Sequence, residues 1–229
     1  AYVYQRSGSV WTEQAHLISS DGAKEDYFGR SVALSSDGNT ALIGADFKVI
    51  NGNTRHGAAY IFTRAGTTWS QQTRLTDVNG GAYSWFGASL ALSADGRTAL
   101  IGTDSSGAVV FTASGGIWTQ QTFLTDPNAY IGFGKEIAIS ADGRTALIAA
   151  GFTFRRCGNT WLPMPRLQPD DSPSGFGYAV SLSGDGTIAL IGAPFATVGA
   201  NQKQGAAYFF PIESSPCPEN SIYLPLILR

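Results

Sequence analysis

The sequence predicts an all-β protein made of stacked copies of one four-stranded antiparallel sheet. Three observations predict it: a segment that recurs four times, an aromatic hairpin that recurs between those copies, and a composition poor in charge and rich in glycine. The chain has 229 residues, of which 43% are hydrophobic, 12% aromatic and 14% charged, with 28 glycines. That length can bury one large core, and that composition suits a compact β-protein rather than a disordered chain or a coiled coil.

The first pattern reads FGRSVALSSDGNTALIGA from Phe28, FGASLALSADGRTALIGT from Phe86, FGKEIAISADGRTALIAA from Phe133 and FGYAVSLSGDGTIALIGA from Phe176. Spacings of 58, 47 and 43 residues separate these phenylalanines, so length varies in the loops and the order of motifs does not. A period of this size fits propeller blades better than a helical solenoid. SVALS and SLALS alternate, as half-buried strands do. The pairs Asp37-Gly38, Asp95-Gly96, Asp142-Gly143 and Asp185-Gly186 predict tight hairpins. TALIGA predicts an inner strand covered on both faces.

The second pattern pairs an aromatic strand with a Trp-led strand: AYVYQRSGSVWTEQAHL, AAYIFTRAGTTWSQQTRL, AVVFTASGGIWTQQTFL and the degenerate FTFRRCGNTWLPMPRL. AAYFFPI adds one more aromatic strand near the end. One such sheet cannot shield both faces, so copies must stack, and stacking about an axis gives a β-propeller. The count gives four FG hairpins and four or five blades. The ring closes between the chain ends, keeps a partial fifth blade, or stays open and is completed by another chain. The expected domains are a propeller over 1–212 and a tail over 213–229 that packs as an edge strand, since IYLPLILR is too apolar for water and Pro225 bars a central position.

The net charge of −2 and the lack of any basic cluster beyond Arg155-Arg156 argue against nucleic-acid binding. No apolar run is long enough to span a bilayer as a helix. Ala1 opens inside a strand-like segment, which fits loss of an N-terminal secretion signal or membership of a longer array. Cys157 and Cys217 are the only cysteines. Two buried thiols are one reading; the other is a disulfide pinning the Pro-flanked tail to the body, which places the chain in an oxidising compartment.

The residues resemble the FG-GAP repeat family, whose best-known members are the propeller heads of integrin α subunits. Phe28-Gly29 matches Gly44-Ala45, Phe86-Gly87 matches Gly102-Thr103, and Phe176-Gly177 matches the full Gly192-Ala193-Pro194. The likeness covers roughly residues 1 to 212 and is greatest to secreted bacterial repeat proteins. It implies a propeller fold. Some integrin-type repeats hold Ca²⁺ through a D-x-D-x-D-G loop. The turns SSDGN, SADGR, SADGR and SGDGT carry one carboxylate each, so the calcium site is not transferred.

No catalytic constellation emerges. His16 and His56 are the only histidines and lie apart in sequence, and no GxSxG, HExxH or P-loop motif occurs. No catalytic residue, cofactor or metal is expected. Trp11, Trp69, Trp118 and Trp161 share one repeat position and are read as packing residues. Trp85 differs, because its sister positions hold Tyr27, Gly132 and Gly175. With Tyr83, and with Tyr130 in the equivalent loop, it forms either a lid over the propeller mouth or a rim that binds a partner. Asp77 and Asp126 belong to the acids that precede each FG, read as turn formers or as part of that rim. The expected function is a secreted or cell-surface, non-enzymatic structural or adhesion module that binds protein or like subunits. A glycan-binding propeller is the alternative, and an enzyme scaffold a third.

Overall fold

Alternating apolar strands separated by Gly-containing turns form the antiparallel meanders that the repeat predicts. The structure is a computed structural model that describes residues 1–104, 107–126, 133–213 and 217. Among these residues there is no helix. The first sheet has two strands, β1 (Tyr2–Ser7) and β2 (Val10–His16). Sheet I contains β3 (Val32–Leu34), β4 (Thr40–Ala45), β5 (Ala58–Ala65) and β6 (Thr68–Leu75) in that order. Sheet II repeats it with β7 (Ser89–Leu92), β8 (Thr98–Thr103), β9 (Gly107–Ser114) and β10 (Ile117–Leu124). Sheet III has β11 (Ile137–Ile139), β12 (Thr145–Ile148), β13 (Phe152–Cys157) and β14 (Thr160–Pro163). Sheet IV has β15 (Ala179–Leu182), β16 (Ile188–Ala193) and β17 (Ala206–Pro211). Every pairing between these strands is antiparallel and joins chain neighbours, consistent with propeller blades.

Side chains alternate between the two faces of each sheet, and each face finds its own neighbour. The face of sheet I carrying Leu42, Ala59 and Ile61 packs on Phe86, Ile101 and Phe111 of sheet II. Sheet II then presents Leu100 and Val110 to Phe133, Ile148 and Phe154 of sheet III. Sheet III presents Leu147 to Ala189, Ile191 and Phe210 of sheet IV. On the other side of sheet I, Ile43, Tyr60 and Phe62 pack against Val3, Ala15 and Leu17 from the first sheet. The FG phenylalanines anchor these layers: Phe86 and Phe133 are fully buried, and Phe28 and Phe176 meet aromatic rings of β5 and β17 edge to face.

The sheets approach closely enough for backbone to meet backbone. A Cβ on Gly44 would collide with the Gly87 carbonyl oxygen of the next sheet, and one on Gly102 with that of Gly134. Ser31 Oγ donates to the Gly87 carbonyl at 2.6 Å, and Ser89 Oγ to that of Gly134 at 2.7 Å. At the opposite end a backbone belt runs from sheet to sheet. Ser36 N donates to Ala94 O, Ala94 N to Ala141 O, and Ala141 N to Gly184 O, at 2.8–2.9 Å.

The inner hairpins are wider than the two-residue turns expected from Asp-Gly. Ser35 N donates to Thr40 O and Gly38 N to Ser35 O, so four residues make the turn and only Gly38 of the pair is left-handed. The aspartate is an internal cap. Asp37 accepts from Ser35 Oγ and Asn39 N, and Asp95, Asp142 and Asp185 do the same in their copies.

Two further expectations need correction. β4, β8 and β12 are buried on both faces, but in β16 the side chains of Ile188 and Leu190 face water. Trp69, Trp118 and Trp161 pack into sheet junctions, whereas Trp11 is 64% exposed because no sheet among the described residues covers its face. The long β4–β5 loop, which the sequence marks only as a place where repeat length varies, takes part in packing. It buries Lys48, whose Nζ donates to Asp26 Oδ2 at 2.8 Å and to Asp21 O at 2.7 Å, and the pair is shielded from solvent. Removing one partner of such a buried pair leaves a costly lone charge.

Cys157 and Cys217 form the disulfide that ties the chain beyond β17 to the β13–β14 hairpin. The tail expected to pack as an edge strand lies outside the described residues except for Glu213 and Cys217.

Two predictions test this packing. Gly102→Ala should destabilise the protein by about 3 kcal/mol through overpacking. Gly192→Ala, at the same position in sheet IV, meets only Ala179 Cβ at 3.6 Å and should change stability by less than about 0.5 kcal/mol. Urea denaturation of both variants is the measurement, and equal losses would refute the junction-specific account.

The second concerns the turn. The Ser183 hydroxyl, then the Thr187 N–H and hydroxyl, hold the exposed Asp185 carboxyl at about 2, below its ordinary value. A lowered carboxyl contributes stability above the unfolded-state value and loses it as pH falls through about 2. NMR titration of the Asp185 carboxyl should return about 2, and Ser183→Ala should raise it.

Candidate functional site

The inner hairpins point their DG turns to one end of the stack, so the β4–β5 loop and the loops before each FG gather at the other. The loop before Phe86 turns sharply, with left-handed backbone at Tyr83 (φ 62°) and Trp85 (φ 46°). Side chains with a Cβ rarely adopt this conformation without compensation. Here backbone hydrogen bonds compensate: Tyr83 N donates to Thr54 O, Trp85 N to Arg55 O and Phe86 N to His56 O. The long loop after β4 therefore splints the loop that presents Tyr83 and Trp85. The two rings meet edge to face with centroids 5.7 Å apart, and Tyr83 is half exposed.

Arg55 joins this pair from the splinting loop. Its guanidinium lies 4.7 Å from the Phe47 ring centroid and 5.8 Å from that of Tyr83, within cation–π range. Beside these groups is a cleft of about 410 Å³ lined by Arg30, Asp46, Phe47, Arg55, Trp85, Ala88, Asp104, Lys135 and Glu136. Arg30, Ala88 and Lys135 each follow an FG motif, so three successive sheets contribute equivalent positions to it. Arg30 Nε pairs with Asp46 Oδ2 at 3.0 Å, and Lys135 Nζ pairs with Asp104 Oδ1 at 3.1 Å.

Asp46 is almost fully buried, and its Oδ1 accepts no hydrogen bond from a described residue. Burial pushes its carboxyl above the ordinary value despite the opposing pull of Arg30. Burial also raises Glu136. The cleft thus combines two ion pairs, two carboxyls that burial biases toward protonation, and aromatic faces. It contains no nucleophile beside a base, and no group of three metal-ligating side chains occurs among the described residues.

The other residues singled out in the sequence lie elsewhere. Asp77 is buried; its Oδ1 accepts from Asn79 N at 3.0 Å and from Gln120 Nε2 at 2.8 Å, joining its loop to β10. Asp126 lies half-buried beyond the end of β10. Tyr130 is outside the described residues. Asp21 and Asp171 hold their sheets' aromatic strands, accepting from Tyr60 Oη at 2.8 Å and Tyr208 Oη at 3.0 Å. Burial opposes ionisation of Asp21, but hydrogen bonds from Tyr60 and Arg74 outweigh it and keep the carboxyl low. His56 is buried with Nδ1 3.2 Å from Gly57 O, and His16 stacks on Tyr2 at the exposed edge.

Sequence reasoning missed Arg55, Phe47 and Asp46. Their loop recurs in form between β16 and β17, where Phe195 and Lys203 take the places of Phe47 and Arg55, but Pro194 stands at the place of Asp46, so self-similarity does not single out the cleft's charges. Trp85 did carry a signal, because Gly175 at the same position is also left-handed (φ 78°).

The architecture defines a repeat protein of antiparallel sheets stacked in chain order. The family model for the FG-GAP repeat matches residues 11–62 and 163–210, so these two regions carry FG-GAP repeats. The matched ranges run from β2 into β5 and from the end of β14 into β17. No curated protein matches the chain.

A glycine at position 85 would remove the left-handed strain, as at Gly175. Trp85→Gly should therefore leave unfolding free energy unchanged within about 1 kcal/mol, measured by thermal or urea denaturation. A loss well above that would show that Trp85 is principally a packing residue.

Proposed function

We propose that the protein is an extracellular, non-enzymatic structural or adhesion module that binds a protein partner through the Tyr83–Trp85 rim and its adjoining cleft. The observation that carries this is an aromatic pair, Tyr83 exposed and Trp85 half-buried, held on left-handed backbone by a second loop. Such conformations persist where surrounding structure over-determines them, and they concentrate at binding sites. Tyr, Trp and Arg are also the residues that dominate protein-binding energetics. FG-GAP repeats occur in adhesion-type β-propeller proteins, and their fold serves protein interaction in that family. A disulfide fits an oxidising, extracellular setting. Among the described residues no helix is long and apolar enough to cross a membrane.

A glycan is the second reading, because exposed aromatic rings beside carboxylates also suit sugar faces and hydroxyls. The test is binding of the labelled full chain to immobilised extracellular-matrix proteins and to a glycan array. Tyr83→Ala with Trp85→Ala should lose about 2 kcal/mol or more, roughly thirty-fold in affinity, with folding intact. Binding to proteins but not glycans supports the first reading, and the reverse supports the second. Binding unchanged in the double variant discards the rim.

A further inference from the structure

We infer that copies of this chain associate head to tail, the outward face of sheet IV on one copy seating against the outward face of the β1–β2 end on the next. This does not rest on the rim, which lies elsewhere on the stack.

The argument starts from repeat equivalence. At each internal junction one sheet offers a forward face to the backward face of its successor. Leu42, Leu100 and Leu147 occupy one forward position and are fully buried. Leu190 occupies it in sheet IV and is 37% exposed. Ile61 and Val110 occupy a neighbouring forward position, also fully buried, whereas Phe209 there is 73% exposed. The forward face of sheet IV therefore has the pattern of an internal junction and no successor among the described residues.

The opposite end shows the complementary deficit. Val3, Ala15 and Leu17 face sheet I, so alternation turns Tyr2, Tyr4 and Trp11 outward. These are the counterparts of Tyr60, Phe62 and Trp69, which are the backward-facing residues of sheet I. All three are more than half exposed. Among the described residues, a forward face without a successor and a backward face without a predecessor are thus carried at opposite ends of the stack. Every junction already in the protein joins one such face to the other, so a second copy offers the matching surface. The contact uses different patches on the two partners and is therefore heterologous, propagating into a ring or a filament. Apolar faces of this kind on a soluble chain mark interaction sites.

The test uses the oxidised full chain in sedimentation velocity and light scattering from micromolar to hundreds of micromolar. Wild type should rise above the one-chain mass with concentration. Phe209→Arg and Trp11→Arg change exposed side chains, and each alone should weaken association at least about thirty-fold, leaving one-chain particles. Mixed in equal amounts, the two variants each retain one intact end and should form a two-chain complex and nothing larger. Thermal melts confirm folding, with Leu190→Arg and Tyr4→Arg as second choices at the same ends. Wild type fixed at the one-chain mass, unaltered association of either variant, or no two-chain complex in the mixture would each overturn the inference.

Discussion

The architecture depends on covering both faces of every sheet with another sheet at backbone contact distance. A lone four-stranded meander exposes its apolar strands, and stacking removes that surface from water. The spacing is set where Gly44 and Gly102 admit the next sheet's backbone, and where Ser31 and Ser89 close the approach with hydrogen bonds. The FG phenylalanine can then enter the core of each junction, because the glycine after it lies against the preceding sheet. The motif is a device for joining sheets rather than a ligand site. Its residues are fully committed to packing, and chemistry must come from the loops.

The loops divide the same way. Those at the DG end are nearly identical in all four copies and carry the backbone belt from Ser36 to Gly184. Those at the FG end vary more in length and sequence, although the β4–β5 and β16–β17 loops share one length and an internal bridge. The β4–β5 loop buries Lys48 between Asp21 and Asp26 and splints Tyr83 and Trp85, while the β12–β13 connection keeps only three residues between strands. Low stability at such a loop would blur the aromatic pair. The buried lysine and the cross-loop backbone bonds give it order comparable to the sheets, which pre-organises the rim and lowers the entropy lost on binding.

How much of this was legible in the residues follows from what repeats. The strands, their order and their pairing rest on four copies of one pattern, and periodicity alone located them. The width of the Asp-Gly turns was not legible, because Asp-Gly also signals a two-residue hairpin and only the Ser35–Asp37 bond distinguishes the two. The pairing of Cys157 with Cys217 was reachable because a Pro-flanked tail cannot pack alone. The cleft was illegible for the opposite reason. Arg30 meets Asp46 and Lys135 meets Asp104 only after sheets stack, and no fixed sequence spacing encodes those pairs. Trp11 shows the limit of arguing by equivalence. Its sisters pack because a preceding sheet covers them, and its own position lacks that neighbour.

That exception also separates two kinds of exposed aromatic residue in this molecule. Trp11, Tyr4 and Phe209 are exposed because a repeat position has lost its covering sheet, and their backbone is ordinary strand. Tyr83 is exposed and Trp85 half-buried on left-handed backbone that costs free energy to hold, a conformation that recurs at Glu25 and Tyr27 with different side chains. The first group follows from the packing rule at its ends and calls for more of the same fold. The second departs from the repeat in its side chains and not in its backbone. Side chains particular to one copy, on a turn held by the Thr54, Arg55 and His56 carbonyls, are where selection for a particular partner would act. End faces and rim therefore answer to different constraints, and altering one should leave the other's behaviour unchanged.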